Sequence, residues 1–184
     1  MSQAFLVGER LYLRPLEEAD AGADYVSWLH DPEVTRWLET GRWPTSVDGL
    51  RAWIRRFADS RTDLAFAIVD RASEAHVGNV TLNHVHPVHR TADTGLMLGR
   101  KDFWGKGYAR DAWSLVVDYG FRRLNLRKIV AGVVAGNEAS LAVLRSLGFQ
   151  VEGTLRRDVW ADGDYRDVVR LGLFRDEFRA ERRA

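Results

Sequence analysis

Between Phe103 and Ala112 the chain reads FWGKGYARDA, with Lys106 and Arg110 around the expected start of a helix. The helix dipole makes that end positive, so each cation there costs a few tenths to about 1 kcal/mol. Gly105 and Gly107 leave the backbone amides of the same stretch uncovered. Cations and bare amides at a helix N-terminus together suit a strong anion. Two phosphate-binding patterns fail against it. A Walker loop has four residues between its first glycine and Gly-Lys, then Ser or Thr; here five residues separate Gly99 from Gly105, and Gly107 follows Lys106. A dinucleotide fingerprint needs a third glycine where Arg110 stands, in a βαβ setting, and the strands before the loop read as a meander. The plain alternative is a glycine-rich loop entering an ordinary helix.

The elements that must position this stretch are legible from periodicity. Residues 10–15 alternate and end at proline, a short strand. From about Glu17 to His30 the pattern is helical, and Asp31-Pro32 stops it. A second helix starts with Ser46 as its cap and runs to about Asp59, with Leu50, Trp53, Ile54 and Phe57 on one face. LAFAIVD (64–70), HVGNVTLNHV (76–85) and ADTGLML (92–98) read as three antiparallel strands. A helix then runs to about Arg123, and KIVAGVV (128–134) is a buried strand. Asn137 caps a helix that ends at Leu147, with Gly148 in the left-handed position and Phe149 packing back. Two strands follow, at about 150–158 and 165–174, around the turn ADGD, and the charged tail RDEFRAERRA is expected as a frayed helix.

Composition narrows the function. The 184 residues carry a formal net charge of +1, so no global field recruits nucleic acid or an acidic membrane. There is no cysteine, which removes disulfides, thiolate metal sites and cysteine nucleophiles. No apolar run approaches membrane-spanning length, and the first twenty residues lack the apolar core of a signal peptide. A cytoplasmic location is the expectation.

A second segment adds to the glycine loop. WGKGYA (104–109) resembles the pyrophosphate loop of the GNAT acetyltransferases, whose pattern is Q/R-x-x-G-x-G/A. Gly107 and Ala109 take the two small positions, while Trp104 departs from the usual Gln or Arg. NEASLAVLRSLGF (137–149) resembles the family's second signature. Trp104 before GKG, Ser140 after Asn137, and GDYRDVVRLGL near the end are similar to the branch of ribosomal-protein alanine and spermidine acetyltransferases. The resemblance covers about residues 9–174. It implies one α/β domain over 1–184 with the GNAT fold: a mixed, mostly antiparallel seven-stranded sheet flanked by helices, with a charged tail over 175–184. It also implies N-acetylation of a primary amine with acetyl-CoA as cosubstrate and no metal, the acceptor being a protein N-terminus, a polyamine or an amino sugar. Relatives are often homodimers. The rival reading is a CoA-binding regulatory domain without turnover.

On this resemblance the anion is the pyrophosphate of CoA, held by backbone amides of Gly105, Lys106, Gly107, Tyr108, Ala109 and Arg110. Lys106 and Arg110 add charge, and the Asn137 side chain either caps its helix or meets the pantetheine arm. The Leu98 amide would meet the oxyanion. For catalysis, an ammonium of pKa near 10.4 costs about 4.6 kcal/mol to neutralise at pH 7, against about 1–1.4 for an α-amino group. A thiol of pKa near 8.5 already leaves readily. The base therefore matters more than the acid. Asp93, where relatives often carry Glu, is the first candidate base, and Asp158 the second. Many relatives place a tyrosine acid where this chain has Leu144, so Ser140 is the substitute candidate. His84, in the run HVHPVH, is expected to line the acceptor site or shuttle a proton rather than bind metal, because Pro87 breaks its strand. Trp28, Trp37 and Trp43 with Glu33 and Glu39 suit a cationic amine, or else core packing and a solvated face.

Overall fold

LAFAIVD is apolar at every position before its terminal aspartate, which requires a strand covered on both faces. In the computed structural model, which describes residues 4–161 and 163–179, it is β3 (Leu64–Asp70). With β4 (His76–His86) and β5 (Thr91–Leu98) it forms the expected antiparallel meander. Further strands are β1 (Leu6–Val7), β2 (Leu11–Pro15), β6 (Lys128–Val134), β7 (Gln150–Ala161) and β8 (Asp164–Phe174). They make one eight-stranded sheet in the order β1-β2-β3-β4-β5-β6-β8-β7. Every pairing is antiparallel except β5 with β6. The expected count of seven strands is corrected to eight. The additional strand is β1, whose two residues pair with Leu13 and Tyr12 and are too few for alternation to reveal.

Period-two alternation divides the core. Leu11, Leu13, Phe66, Ile68, Val80 and Leu82 face one side, against α4 (Tyr108–Arg122) and α5 (Glu138–Ser146). Tyr12, Ala65, Ala67 and Val69 face the other, under α1 (Ala23–His30) and α3 (Val47–Arg55). The expected helix over 17–30 is two pieces: a 3₁₀ turn over Glu18–Asp20, then α1 with Gly22 as its N-cap. Asp31-Pro32 ends α1 but also starts the short α2 (Pro32–Thr35). The Asp31 carboxylate accepts the Glu33 N–H at 2.9 Å, and proline needs no partner in a first turn. Ser46 caps α3 as expected, accepting from the Gly49 N–H at 3.1 Å.

The end of α5 is closed by its sequence. Gly148 has φ +104, the Gly148 N–H donates to the Arg145 carbonyl at 3.0 Å, and the Phe149 N–H donates to the Leu144 carbonyl at 3.1 Å. That is a Schellman motif. The tail is no helix as far as it is described. Residues 175–177 turn, the Arg179 N–H donates to the Leu147 carbonyl at 2.9 Å, and the backbone passes directly over Gly148. Residues 180–184 of the expected tail helix, and Asp162 of the expected turn, lie outside the described residues. A Cβ at position 148 would meet the Glu177 carbonyl besides straining the left-handed backbone. Gly148→Ala should therefore lower the unfolding free energy by about 1–3 kcal/mol, read as an earlier urea midpoint at unchanged slope.

Candidate active site

β5 and β6 run parallel and pair only over Thr91–Asp93 with Lys128–Val130. Beyond Asp93, β5 continues against β4 as far as Leu98, and β6 continues against β8 as far as Val134. A cleft opens between them. The Gly99 N–H donates to the Val77 carbonyl at 3.0 Å, which sets the antiparallel register. By alternation Asp93, Gly95 and Met97 turn their peptide groups to β4, while those of Thr94, Leu96 and Leu98 point to the cleft. The indole Nε1 of Trp104 donates to the Leu98 carbonyl at 2.9 Å, folding the chain back over the strand end.

Because the two strands are parallel, the helices that follow them begin at the same end of the sheet. α4 starts after the glycine stretch with Gly107 at its N-cap, and α5 starts with Asn137. Gly105 and Gly107 are both left-handed, with φ +70 and +87. The fold thus gathers Leu98, the loop Gly105–Arg110, Asn137 and Ser140 around the open end of one cleft. That is where ligands bind in sheets whose strand connections diverge. Tyr108 is buried, and its hydroxyl donates to Asp70 at 2.5 Å. Burial and that carboxylate push the Tyr108 phenol up to about 12, so it stays a neutral anchor. Asn137 does cap its helix, Oδ1 accepting the Ser140 N–H at 3.2 Å. Leu144, at the position of the relatives' tyrosine, has no exposed surface and belongs to the core.

On the opposite face lies a cleft of about 680 Å³. Its floor is a polar ladder on β4, Asn79, Thr81 and Asn83, beside Gly95 and Met97 of β5; Trp53 and Phe57 form one wall. Asp93 shares this face of β5, directly opposite Asn83. It stands where β5 and β6 part. Its carboxyl is mostly buried, and burial raises its pKa against the opposing pull of Arg170 and His84. Arg170 Nη2 lies 3.5 Å from the carboxylate, reaching it across Gly132. His84 sits in the β4 bulge with φ +53 and an exposed side chain. Its N–H donates to Asp63 Oδ1 at 3.1 Å. Asp158 is exposed on β7.

The aromatic and acidic cluster expected over the acceptor site disperses. Trp28 is core, packed on Tyr25 and His76. Trp37 covers Gly136, Trp43 is 79% exposed, and Glu33 pairs with Lys101 at 2.9 Å. Only Glu39 of the five lines the cleft, and Arg42 holds it at 3.0 Å. The β4 ladder escaped sequence reasoning, although N-V-T-L-N places three polar residues on one strand face. Arg170 gave no signal of its own.

Residues 10–150 match the family model described as an acetyltransferase (GNAT) domain. The chain belongs to the GNAT acetyltransferase family. Spermidine N(1)-acetyltransferase of Escherichia coli is 37% identical over 170 residues, spanning 92% of this chain and 88% of that protein. A crystal structure of spermidine N-acetyltransferase from Vibrio cholerae with CoA and spermine superposes with a TM-score of 0.83 at 26% identity, over 92% of this chain and 98% of that one. RimJ of Mycobacterium smegmatis, in complex with CoA-disulfide, gives 0.81 at 27%, over 91% and 83%. The GNAT assignment makes the protein an acyltransferase, and GNAT acetyltransferases use acetyl-CoA. The left-handed glycines and the two adjacent helix N-termini suit its pyrophosphate. A ligand that binds only the folded state stabilises it by about 2.7 kcal/mol at about a hundred times its Kd. Acetyl-CoA should therefore raise the melting temperature in a thermal shift assay, and no shift at millimolar concentration would count against this cleft.

Proposed function

We propose that this protein transfers the acetyl group of acetyl-CoA to the α-amino group of a peptide or amino-acid-like acceptor with a partly apolar body. The observation that carries the acceptor class is the lining of the 680 Å³ cleft. Its polar groups are neutral apart from Glu39, and that carboxylate is already paired with Arg42. A polyamine carries several cations, each needing a partner when it leaves water. Asn79 is tied to Tyr25 and His76, but Thr81 and Asn83, bonded to each other at 2.9 Å, keep donor and acceptor capacity for a peptide backbone, and Trp53 with Phe57 match an apolar side chain. An α-amine also asks least of the base.

In this reading the acceptor amine enters from the α1–α3 face and the thioester from the α4–α5 face. They meet where β5 and β6 part. Asp93 takes the amine proton, directly or through water, as the nitrogen attacks the thioester carbon. The Leu98 N–H, free of the β4 ladder, donates to the oxyanion. The C–N bond forms, the C–S bond breaks, and the CoA thiolate leaves, with Ser140 at the start of α5 as the candidate to protonate it. His84 tunes the charge around Asp93.

These roles set the expected cost of two substitutions. Asp93→Asn should lower kcat by two to four orders of magnitude with little change in acetyl-CoA affinity. Ser140→Ala should cost only about tenfold, since the thiol needs little help. Burial raises the Asp93 pKa, so ionisation opposes folding: its stabilising protonated form is full at low pH and lost as pH rises through the folded value. Asp93→Asn should hence be at least as stable as wild type at neutral pH, and its pH–rate profile should lose the lower acidic limb, leaving the one set by the acceptor's own α-amine at about 7.7–8.0. A retained lower limb would exclude Asp93 as the base.

The acceptor is tested by CoA release across peptide N-termini, amino sugars and spermidine. An apolar-flanked peptide N-terminus should exceed spermidine in kcat/KM by at least about tenfold, the order expected where a second cation lacks a partner. Preference for spermidine would overturn the acceptor class.

A further inference from the structure

Arg10 stands at the start of β2, ninety-six residues from the loop it touches. Its Nη1 donates to the Lys106 carbonyl at 2.7 Å, and its Nε donates to Asp111 Oδ2 at 2.9 Å. Asp111 lies in the first turn of α4. A Cβ built on Gly107 would stand 2.6 Å from Arg10 Nη2, so the guanidinium packs close against the Lys106–Gly107 link. The peptide bond is planar and trans, which points the N–H opposite to the carbonyl. With the Lys106 carbonyl turned to Arg10, the Gly107 N–H must point away from Arg10.

The link needs such a hold. Gly107 is left-handed at φ +87, follows left-handed Gly105 by two residues, and has no side chain to pin it. Glycine adopts positive and negative φ about equally readily. Nothing in the local backbone therefore prevents the Lys106–Gly107 peptide from rotating and presenting its carbonyl where an anion would sit. A guanidinium fork fixed by Asp111 at one nitrogen and bonded to the carbonyl at another makes that rotation expensive.

We infer that Arg10 is a positioning residue for cofactor binding: it locks the Lys106–Gly107 peptide with its N–H presented to the pyrophosphate of CoA. This rests on reading the glycine stretch as the pyrophosphate loop. Asp111 orients the fork and cancels its charge, so Arg10 acts through the peptide rather than as a phosphate ligand.

The test combines CoA binding by calorimetry, steady-state kinetics, and backbone 15N relaxation of the ligand-free protein. Arg10→Met should weaken CoA and raise the acetyl-CoA KM by about 10- to 100-fold, the range for losing a charged hydrogen bond, with kcat within about twofold. Arg10→Lys, keeping one donor, should recover part of the loss. In ligand-free Arg10→Met the order parameter of the Gly107 N–H should fall below that of wild type. With S-acetylpantetheine, which lacks the pyrophosphate, Arg10→Met and wild type should have equal kcat/KM. Unchanged CoA affinity would overturn the inference. So would an equal loss with S-acetylpantetheine, which marks general structural damage. An unchanged Gly107 order parameter with weakened CoA would also overturn it, marking a direct phosphate contact. Should Arg10→Met not fold, Arg10→Lys carries the same comparisons with smaller effects. Calorimetry with CoA needs no acceptor, so the inference is decided even if the proposed amine proves wrong.

Discussion

β5 and β6 stay together only from Thr91 to Asp93 and from Lys128 to Val130, because each is committed to a different antiparallel neighbour. β4 holds β5 to its last residue, and β8 holds β6 along its whole length. The sheet is thus two antiparallel halves, β1 to β5 and β6-β8-β7, joined along one short parallel seam. Where the seam ends, strand amides that a longer ladder would have consumed are left facing a gap. The exposed cost is a few lost ladder bonds, each about 1 kcal/mol net. What they leave is a row of oriented donors that costs nothing further to align when charge develops.

Everything placed around the gap follows from its parallel character. Parallel strands require a crossover, here α4, and the crossover returns both following helices to one end. Two helix N-termini then face the mouth of the gap, with left-handed glycines before one and an asparagine cap on the other. The cations at Lys106 and Arg110, unfavourable beside a helix N-terminus in isolation, become intelligible beside a diphosphate. On the opposite face the sheet presents a polar ladder rather than a hydrophobic stripe, and α1 and α3 stand off it to leave a cavity. Asp93 is the last residue of β5 paired with β6, at the vertex of the gap.

The elements legible in the sequence were those whose signal is local. Continuous apolar runs located β3 and β6 to the residue, and Ser46, Asn137 and Gly148 marked helix ends because capping is decided by neighbouring backbone groups. β1 was invisible since two residues carry no period. Asp31-Pro32 read as a stop although it is equally a start, because proline is excluded from a helix interior but welcome in its first turn. The glycine loop could be found from its own residues. Arg10 could not, since nothing nearby in sequence says that its side chain crosses to Lys106 and Asp111. Arg170 meets Asp93 only because β8 inserts between β6 and β7. The tail misled for a related reason: after the turn in which the Glu177 N–H donates to Phe174, the Arg179 N–H found the Leu147 carbonyl at the end of α5 instead of continuing a helix.

A crystal structure of the protein with CoA decides whether the splayed strands themselves form the donor site. The pantetheine arm is expected between β5 and β6 beyond Asp93, its amides bonded to the strand edges, with the pyrophosphate against the amides of Gly105–Arg110. CoA bound elsewhere, with β5 and β6 unfilled, would contradict it.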